Sequence, residues 1–190
     1  MEITIRGYEK KDWEALRDIC HKTATDPKYI KNKDLVAGCF IEPYMEFAPG
    51  NVVVAANENN EAIGYCISAP DSKAFYKFFR ENYLKRIWKM HKVLAAEMFL
   101  TPVVTCRYLK KYPAHLHIDI LDGYQRMGVG HRLMNEQMRR LKEQKIPGAF
   151  LTVSTANEKG VPFYKKYGFK IIQKLPGALV FAMDLREQKN

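Results

Sequence analysis

Residues 125–130 read Gln125-Arg126-Met127-Gly128-Val129-Gly130 and separate two segments of different periodicity. Residues 114–121 alternate in character as a β-strand does, and residues 128–145 repeat apolar side chains at the spacing of an amphipathic helix. The apolar helix positions are Val129, Leu133, Met134, Met138 and Leu141. The sequence therefore predicts a strand, a glycine-containing loop and a helix in direct succession.

A loop of this kind is suited to binding an anion. The first N–H groups of a helix have no partner inside the helix, and the helix dipole is positive at that end. Together they form a site for a pyrophosphate, which glycines allow to approach the backbone closely. Arg126, His131 and Arg132 would add positive charge. A dinucleotide fingerprint would need a third glycine where Leu133 stands, and a P-loop would need Gly-Lys-Ser/Thr. Taken alone, the two glycines also fit an ordinary turn.

Around this segment the chain alternates predicted strands and helices. Strands are expected at residues 2–8, 51–56, 61–69, 114–121, 149–153, 169–174 and 178–185. Helices are expected at residues 10–24, 33–47 with a break at Pro43, most of 71–111, 128–145 and 157–167. No repeat or linker interrupts residues 1–190, so we predict one domain of the mixed α/β class.

The composition fits a globular protein that does not cross a membrane. The chain is 47% hydrophobic and 27% charged. It has no apolar run near the roughly 20 residues of a membrane span, and its start does not resemble a signal peptide. We therefore expect a cytoplasmic protein without a membrane partner.

The spacing of the cysteines and the net charge indicate which classes of ligand, such as metal ions or nucleic acid, the protein could bind. Cys20, Cys39, Cys66 and Cys106 are scattered without zinc-site spacing, which predicts buried free thiols and no metal site. The net charge of +10 fits solvated helix faces, an anionic ligand or nucleic acid. The sequence contains no recognisable nucleic-acid-binding motif, which argues against nucleic acid as a partner.

The wider context of the loop resembles the GNAT (GCN5-related N-acetyltransferase) superfamily. The loop is followed by a helix, a strand and then Asn157 with the stretch Phe163-Tyr164-Lys165-Lys166-Tyr167-Gly168-Phe169. The resemblance implies a mixed central sheet flanked by helices, with residues 125–130 binding the pyrophosphate of acetyl-coenzyme A. It also implies that the backbone at Ile118 and Ile120 pairs with the pantetheine arm of the cofactor. The cofactor-binding candidates are Ile118, Ile120, Gln125, Arg126, Met127, Gly128, Val129, Gly130, His131, Asn157 and Phe163. The aromatic and basic segment 71–111 is a longer helical insertion than the family usually has before the cofactor-loop strand.

Two stretches resemble a narrower group within this superfamily. Residues 112–120, and residues 148–153 followed by Asn157 and Phe163-Tyr164, are similar to the acetyltransferase-like domain of O-GlcNAcases and its stand-alone bacterial relatives. The eukaryotic domain has lost the cofactor loop. Since this chain keeps the loop, we expect it to bind the cofactor.

Three residues are candidates for the chemistry of acetyl transfer. The resemblance places Tyr164 near the thioester sulfur as a proton donor, although it also fits a packing aromatic on an amphipathic helix. Asp119 and His117 alternate with His115 on one strand and so share a face. They could bind or deprotonate an amine, or form a hydrogen-bonded structural trio, and a β-bulge would change which side chains face the substrate. Asn157 fits either a helix N-cap or a contact to the cofactor arm.

The expected function is transfer of acetyl from acetyl-coenzyme A to a primary amine by direct attack in a ternary complex. The acceptor would be a small-molecule or protein amine, and the protein a monomer or homodimer. The alternative is a non-catalytic binding protein of the same fold. The segment 71–111 would form an aromatic and basic acceptor wall, unless its aromatics are core and its lysines face solvent.

Overall fold

The predicted strands form one mixed sheet in the computed structural model, which describes residues 2–24 and 32–186. The strands are β1 (Thr4–Gly7), β2 (Val52–Ala56), β3 (Ala62–Ala69), β4 (Ala114–Ile120), β5 (Gly148–Ser154), β6 (Lys170–Leu175) and β7 (Ala178–Asp184). Their order in the sheet is β1-β2-β3-β4-β5-β7-β6. β4 and β5 are parallel, and the other neighbouring pairs are antiparallel.

Helices cover both faces of this sheet. They are α1 (Trp13–Thr23), α2 (Lys33–Phe40), α3 (Glu42–Phe47), α4 (Ser72–Asn82), α5 (Leu84–Met90), α6 (Lys92–Leu109), α7 (Val129–Glu143) and α8 (Gly160–Tyr167). The mixed α/β class and the element order predicted from the sequence are confirmed. Among the described residues, none of the helices is both long enough and apolar enough to cross a bilayer.

The boundaries of two predicted helices need correction. Pro43 does not break the helix predicted over residues 33–47; the break is at Ile41, whose backbone leaves the helical region, and Pro43 lies in the first turn of α3. Proline fits there because the first N–H groups of a helix have no intrahelical partner. The helix predicted at residues 10–24 begins as a 3₁₀ turn over Lys10–Asp12 before α1.

The alternation of side chains along the central strands builds two cores. Val54, Tyr65 and Ile67 point to the face covered by α1–α6, and Val53 and Cys66 point to the face covered by α7 and α8. A strand in the middle of the sheet therefore presents one set of side chains to each helical layer. On β4 this places the histidines and Asp119 on the opposite face from Ile118 and Ile120.

The insertion 71–111 forms α4, α5 and α6, and the prediction that it is mostly helical is confirmed. Asp71 caps α4 by accepting a hydrogen bond from the N–H of Ala74 at 3.0 Å. Phe75, Phe79 and Tyr83 are buried in the core, so these three aromatics do not form an open wall for an acceptor. Trp88 and Phe99, by contrast, are exposed.

The cysteines are free thiols in this fold. Cys20, Cys39 and Cys66 are buried, as predicted. The prediction is wrong for Cys106, which is exposed because it lies on the outward half of α6.

Candidate active site

The sheet opens between β4 and β5. Their parallel ladder has two register pairs, Ala114 with Ala149 and His115 with Phe150. On the outer sides the pairing continues much further, to Ile120 in β4 and to Ser154 in β5. The facing edges of the two strands therefore diverge beyond these pairs and leave backbone groups free of ladder partners. An extended ligand can enter such an opening and pair with the backbone as an additional strand does.

The loop that follows β4 leads into the N-terminus of α7, where the first backbone N–H groups make no hydrogen bond within the helix. The N–H of Arg132 makes an intrahelical bond to the carbonyl of Gly128 at 3.2 Å, so the N–H groups of Val129, Gly130 and His131 precede the helical ladder. Gly128 has a φ of 76°, and a Cβ built on it would meet no atom within 4 Å. The space above Gly128 is therefore open, which is the condition for an anion to reach these N–H groups.

Gly130 serves a different purpose from Gly128. A Cβ at Gly130 would lie 3.2 Å from the ring of Phe163 and 3.5 Å from Ile120. Phe163 also meets His131 edge-on, with ring centroids 5.3 Å apart. The absence of a side chain at Gly130 thus lets α8 pack directly against the first turn of α7.

Two hydrogen bonds of the Gln125 side chain link the loop to β4 and to the turn before α8, and we call this arrangement the Gln125 clamp. Its side-chain amide donates to the carbonyl of Ile120 at 3.0 Å and accepts from the ammonium group of Lys159 at 3.0 Å. Lys159 also lies 3.5 Å from Asp122. Arg126 takes a φ of 62° in the turn, and its exposed side chain, with that of Arg132, adds positive charge near the start of α7. Sequence reasoning had assigned Gln125 to the pyrophosphate and had missed Lys159.

Asn157 caps the turn that leads into α8. Its side-chain oxygen accepts a hydrogen bond from the N–H of Gly160 at 2.7 Å. The sequence allowed an N-cap role for Asn157, but the N-cap of α8 is Lys159, and Asn157 stabilises the turn before it. Helix α8 begins at Gly160 rather than at residue 157.

Tyr164 is buried on the α8 side of the opening. Its ring packs against Phe163, Phe169 and Phe181, with centroids 5.3, 6.1 and 5.9 Å away. Burial raises the pKa of its phenol, and the negative charge of Asp119 raises it further. Within residues 2–24 and 32–186, no group forms a hydrogen bond with the Tyr164 hydroxyl. A protonated phenol without a partner is suited to donate a proton to a ligand.

Asp119 lies on the other face of β4. The hydroxyl of Tyr65 donates to its carboxylate at 2.5 Å, and Thr23 is a second hydrogen-bond partner. Asp119 keeps some contact with solvent, but the protein atoms packed around its carboxyl group raise its pKa by desolvation. The hydrogen bonds from Tyr65 and Thr23 act in the opposite direction because they stabilise the carboxylate. Neither of these partners was found by sequence reasoning.

The two histidines of β4 differ from Asp119 in their surroundings. His117 meets Phe40 and Tyr44 edge-on, and burial lowers its pKa to about 4. His115 contacts the hydroxyl of Ser72 through Nδ1 at 2.7 Å, and burial lowers its pKa to about 3. Both rings are therefore neutral at neutral pH, and His115 is held in a packed cluster at the start of α4.

No bulge disturbs this part of β4. Its register with β3 runs without a shift from Gly64 opposite Ile120 to Ala69 opposite His115. The simple alternation predicted from the sequence therefore holds, and His117 and Asp119 lie on the same face.

Comparison with known families agrees with this geometry. The model of the acetyltransferase (GNAT) family matches residues 13–169. The chain belongs to this family. The seven-stranded sheet with helices on both faces is the GNAT fold, and the resemblance to the family noted in the sequence is confirmed. Membership identifies acetyl transfer, in general terms, as the activity of this fold.

Solved structures of GNAT proteins superimpose on nearly the whole chain. The crystal structure of SsHAT has a TM-score of 0.87 and 25% identity over 98% of this chain and 100% of that one. Ard1 from Thermoplasma volcanium has a TM-score of 0.63 and 20% identity over 97% and 98%. PaiA N-acetyltransferase from Thermoplasma acidophilum, solved in complex with coenzyme A, has a TM-score of 0.65 and 16% identity over 97% and 99%.

Proposed function

We propose that this GNAT protein transfers the acetyl group of acetyl-coenzyme A to a primary amine by direct attack in a ternary complex. The observation that carries the proposal is the opening between β4 and β5. The N–H groups at the N-terminus of α7, which have no intrahelical partner, and the buried Tyr164 both lie next to this opening. Acetyl-coenzyme A supplies the acetyl group as a thioester. Its diphosphate would lie on the N–H groups of Val129, Gly130 and His131, and its pantetheine arm along the free edge of β4 at Ile118 and Ile120.

Two side chains would carry the protons. Asp119 would hold the incoming amine and accept its proton as the C–N bond forms. The departing sulfur would take a proton from the hydroxyl of Tyr164 as the C–S bond breaks. Since these residues lie on opposite faces of the sheet, the opening between the strands would join acceptor and donor. His117 would line the acceptor side as a neutral ring.

Arg126, Met127 and the clamped Gln125 would complete the cofactor loop. Asn157 would shape the turn beside the arm, and Phe163 would support the first turn of α7. The acceptor would be a small molecule or a protein amine.

Ligand-induced stabilisation tests cofactor binding. A ligand that binds the native state alone stabilises it by about 2.7 kcal/mol at a hundred times its Kd. Acetyl-coenzyme A should therefore raise Tm, and Gly128→Asp should remove the shift because the carboxylate would repel the diphosphate.

Gly177→Asp is the matched control. Gly177 has a φ of 72° and, like Gly128, no atom within 4 Å of a built Cβ, so the substitution imposes similar backbone strain outside residues 125–130. An unchanged Tm shift in Gly128→Asp would contradict the proposed phosphate site. Binding without release of free coenzyme A thiol across a panel of amines would instead support the non-catalytic alternative.

A further inference from the structure

The insertion α4–α6 concentrates the positive charge of the molecule. Residues 71–111 contain ten lysines and arginines and three acidic residues, or +7 of the formal net charge of +10. The exposed lysines Lys85, Lys89 and Lys92 lie on α5 and at the start of α6.

The same segment carries most of the large apolar side chains that face solvent. The exposed members are Trp88, Met90, Val93, Phe99, Leu100 and Val103. Trp88 is 50% exposed and Val103 is 68% exposed. Outside the insertion, the described residues expose Met127, Ile171 and Ile172 in this way. Such a concentration is unusual on a surface that has only water as its neighbour. We call the six exposed side chains and the lysines around them the α5–α6 surface.

Helical geometry arranges the α6 part of this surface as a stripe. Positions 92, 96, 99 and 103 follow one another at helical spacing on α6, and Lys110, the residue after α6, lies two helical turns beyond Val103. The stripe begins with Lys92, continues through Ala96, Phe99 and Val103, and ends with Lys110. Its centre is therefore apolar and both of its ends are cationic. Lysines in this position can bury their stems while the ammonium groups reach toward a polar layer.

The turn between α5 and α6 continues the pattern. Trp88, Met90 and Val93 alternate with Lys89 and Lys92 across the single residue that joins the two helices. His91 is the N-cap of α6, and its Nδ1 accepts a hydrogen bond from the N–H of Leu94 at 3.1 Å. The corner therefore exposes Trp88, Met90 and Val93 next to Lys89 and Lys92.

We infer that the α5–α6 surface docks the protein on an anionic lipid bilayer, with α6 lying flat in the headgroup layer. An occupant must be both apolar and negatively charged to complement this surface. A second copy of the chain would bring the same lysines and would repel. Nucleic acid would leave the aliphatic side chains Val93, Leu100 and Val103 without a partner. An anionic membrane surface offers an acyl region for the apolar centre and acidic headgroups for the lysines.

The dimensions suit this mode of binding. The 18 residues of α6 span about 27 Å at about 1.5 Å per residue, so both lysine ends reach the headgroup layer only if the helix lies parallel to the membrane. This inference departs from the sequence-based expectation of a protein without a membrane partner, which rested on the absence of a spanning segment and of a signal peptide. Peripheral docking requires neither.

Vesicle sedimentation tests the inference. The wild-type protein should sediment with mixed phosphatidylcholine and phosphatidylserine vesicles at low salt, and it should remain in the supernatant with pure phosphatidylcholine. Charge reversal in Lys89→Glu/Lys92→Glu should weaken binding on the order of a hundredfold, since four units of charge change near the surface. Replacing the apolar centre in Phe99→Ser/Val103→Ser should weaken it at least about tenfold.

Matched controls lie on β6. Ile171→Ser/Ile172→Ser removes exposed apolar side chains, and Lys170→Glu/Lys174→Glu reverses two lysines, both away from α5 and α6. Both variants should bind vesicles more than severalfold better than their α5–α6 counterparts. Far-ultraviolet circular dichroism and Tm establish that each variant is folded.

Fluorescence of Trp88 gives an independent measurement. In a Trp13→Phe background Trp88 is the one remaining tryptophan. Its emission should shift to shorter wavelength on addition of the anionic vesicles, because an exposed indole enters a less polar layer. The inference is wrong if the emission does not shift, if binding does not depend on phosphatidylserine, or if the β6 controls lose binding equally. It is also wrong if the α5–α6 variants instead abolish a dimer or the binding of duplex DNA.

Discussion

The hydroxyl of Tyr65 donates a hydrogen bond to the carboxylate of Asp119 at 2.5 Å, across the paired strands β3 and β4. Two effects on the pKa of Asp119 therefore oppose each other: burial raises it, and the bond from Tyr65 lowers it. The first effect is larger, so the pKa of Asp119 is above its ordinary value. A carboxylate with a raised pKa is a stronger base than an exposed one.

Tyr65→Phe removes one of these two effects. The pKa of Asp119 should rise further, and the acid limb of the pH profile of kcat/KM should move to higher pH, by about one unit for a hydrogen bond of ordinary strength. Asp119→Asn should lower kcat by roughly a hundredfold or more. Tyr44→Phe is the control, because Tyr44 is buried in the same core but contacts His115 and His117 instead of Asp119. An identical acid limb in Tyr65→Phe and wild type would exclude Asp119 as the titrating base.

Tyr164→Phe tests the proton donor. The variant keeps the aromatic ring in its cluster, so Kd for acetyl-coenzyme A should stay within about twofold of wild type. The value of kcat should fall roughly ten- to a thousandfold if the sulfur loses its general acid. Tyr167→Phe is the matched control, since that hydroxyl already donates to Asn135 at 2.9 Å. Equal turnover in the two variants would make Tyr164 a packing residue.

Lys159→Ala tests the clamp on the cofactor loop. The side chain of Gln125 would lose its hydrogen bond from Lys159, at the start of α8, but keep its hydrogen bond to Ile120. Because a less ordered loop must lose more conformational freedom on binding, Kd for coenzyme A should rise about three- to tenfold. Lys166→Ala, on the helix that Lys159 precedes, is the control, and its Kd, measured by calorimetry, should match wild type. If the two variants have the same Kd, the clamp does not contribute to binding.

The histidines of β4 predict sensitivity to acid. Their pKa values are about 3 for His115 and about 4 for His117, below the ordinary value of 6.5. The native state therefore excludes protons that the unfolded chain binds as pH falls through 6.5. Each histidine should lower the free energy of unfolding by about 1.4 kcal/mol per pH unit in the window between its two pKa values.

Urea unfolding at several pH values measures this slope. His117→Phe should reduce it by the contribution of one histidine, and His115→Phe should do the same over its own window. A slope that is the same in wild type and His117→Phe would show that the ring of His117 does not exclude a proton in the native state.

Local sequence patterns predicted the strand, loop and helix of the site. Contacts between residues far apart in the sequence determine how its side chains are held. The strand, loop and helix around Gly128 were visible because each depends on neighbouring residues: alternation, turn conformation and helical periodicity. The pairing of Tyr65 with Asp119 joins residues 54 positions apart, and that of Lys159 with Gln125 joins residues 34 apart. No pattern in a single sequence encodes such separations.

The insertion 71–111 is a second case in which the sequence alone could not predict the contacts of individual side chains. The segment was predicted correctly to be mostly helical from a cap at Asp71-Ser72, but periodicity could not separate Phe75, which is buried, from Phe99, which faces solvent. That distinction depends on how α4, α5 and α6 pack against α2 and the sheet, and so on tertiary structure.

The short ladder between β4 and β5 also has a consequence for folding cooperativity. Two register pairs are the main-chain link between the half of the sheet that contains β1–β4 and the half that contains β5, β7 and β6. A ligand that pairs with the free edges of both strands would supply backbone hydrogen bonds that β4 and β5 do not make with each other. We therefore expect the two halves to open with different free energies in the free protein and to unfold as one unit when the opening is filled. Amide hydrogen exchange along β5, compared with β3, would detect this change, with protection of β5 rising more on addition of coenzyme A.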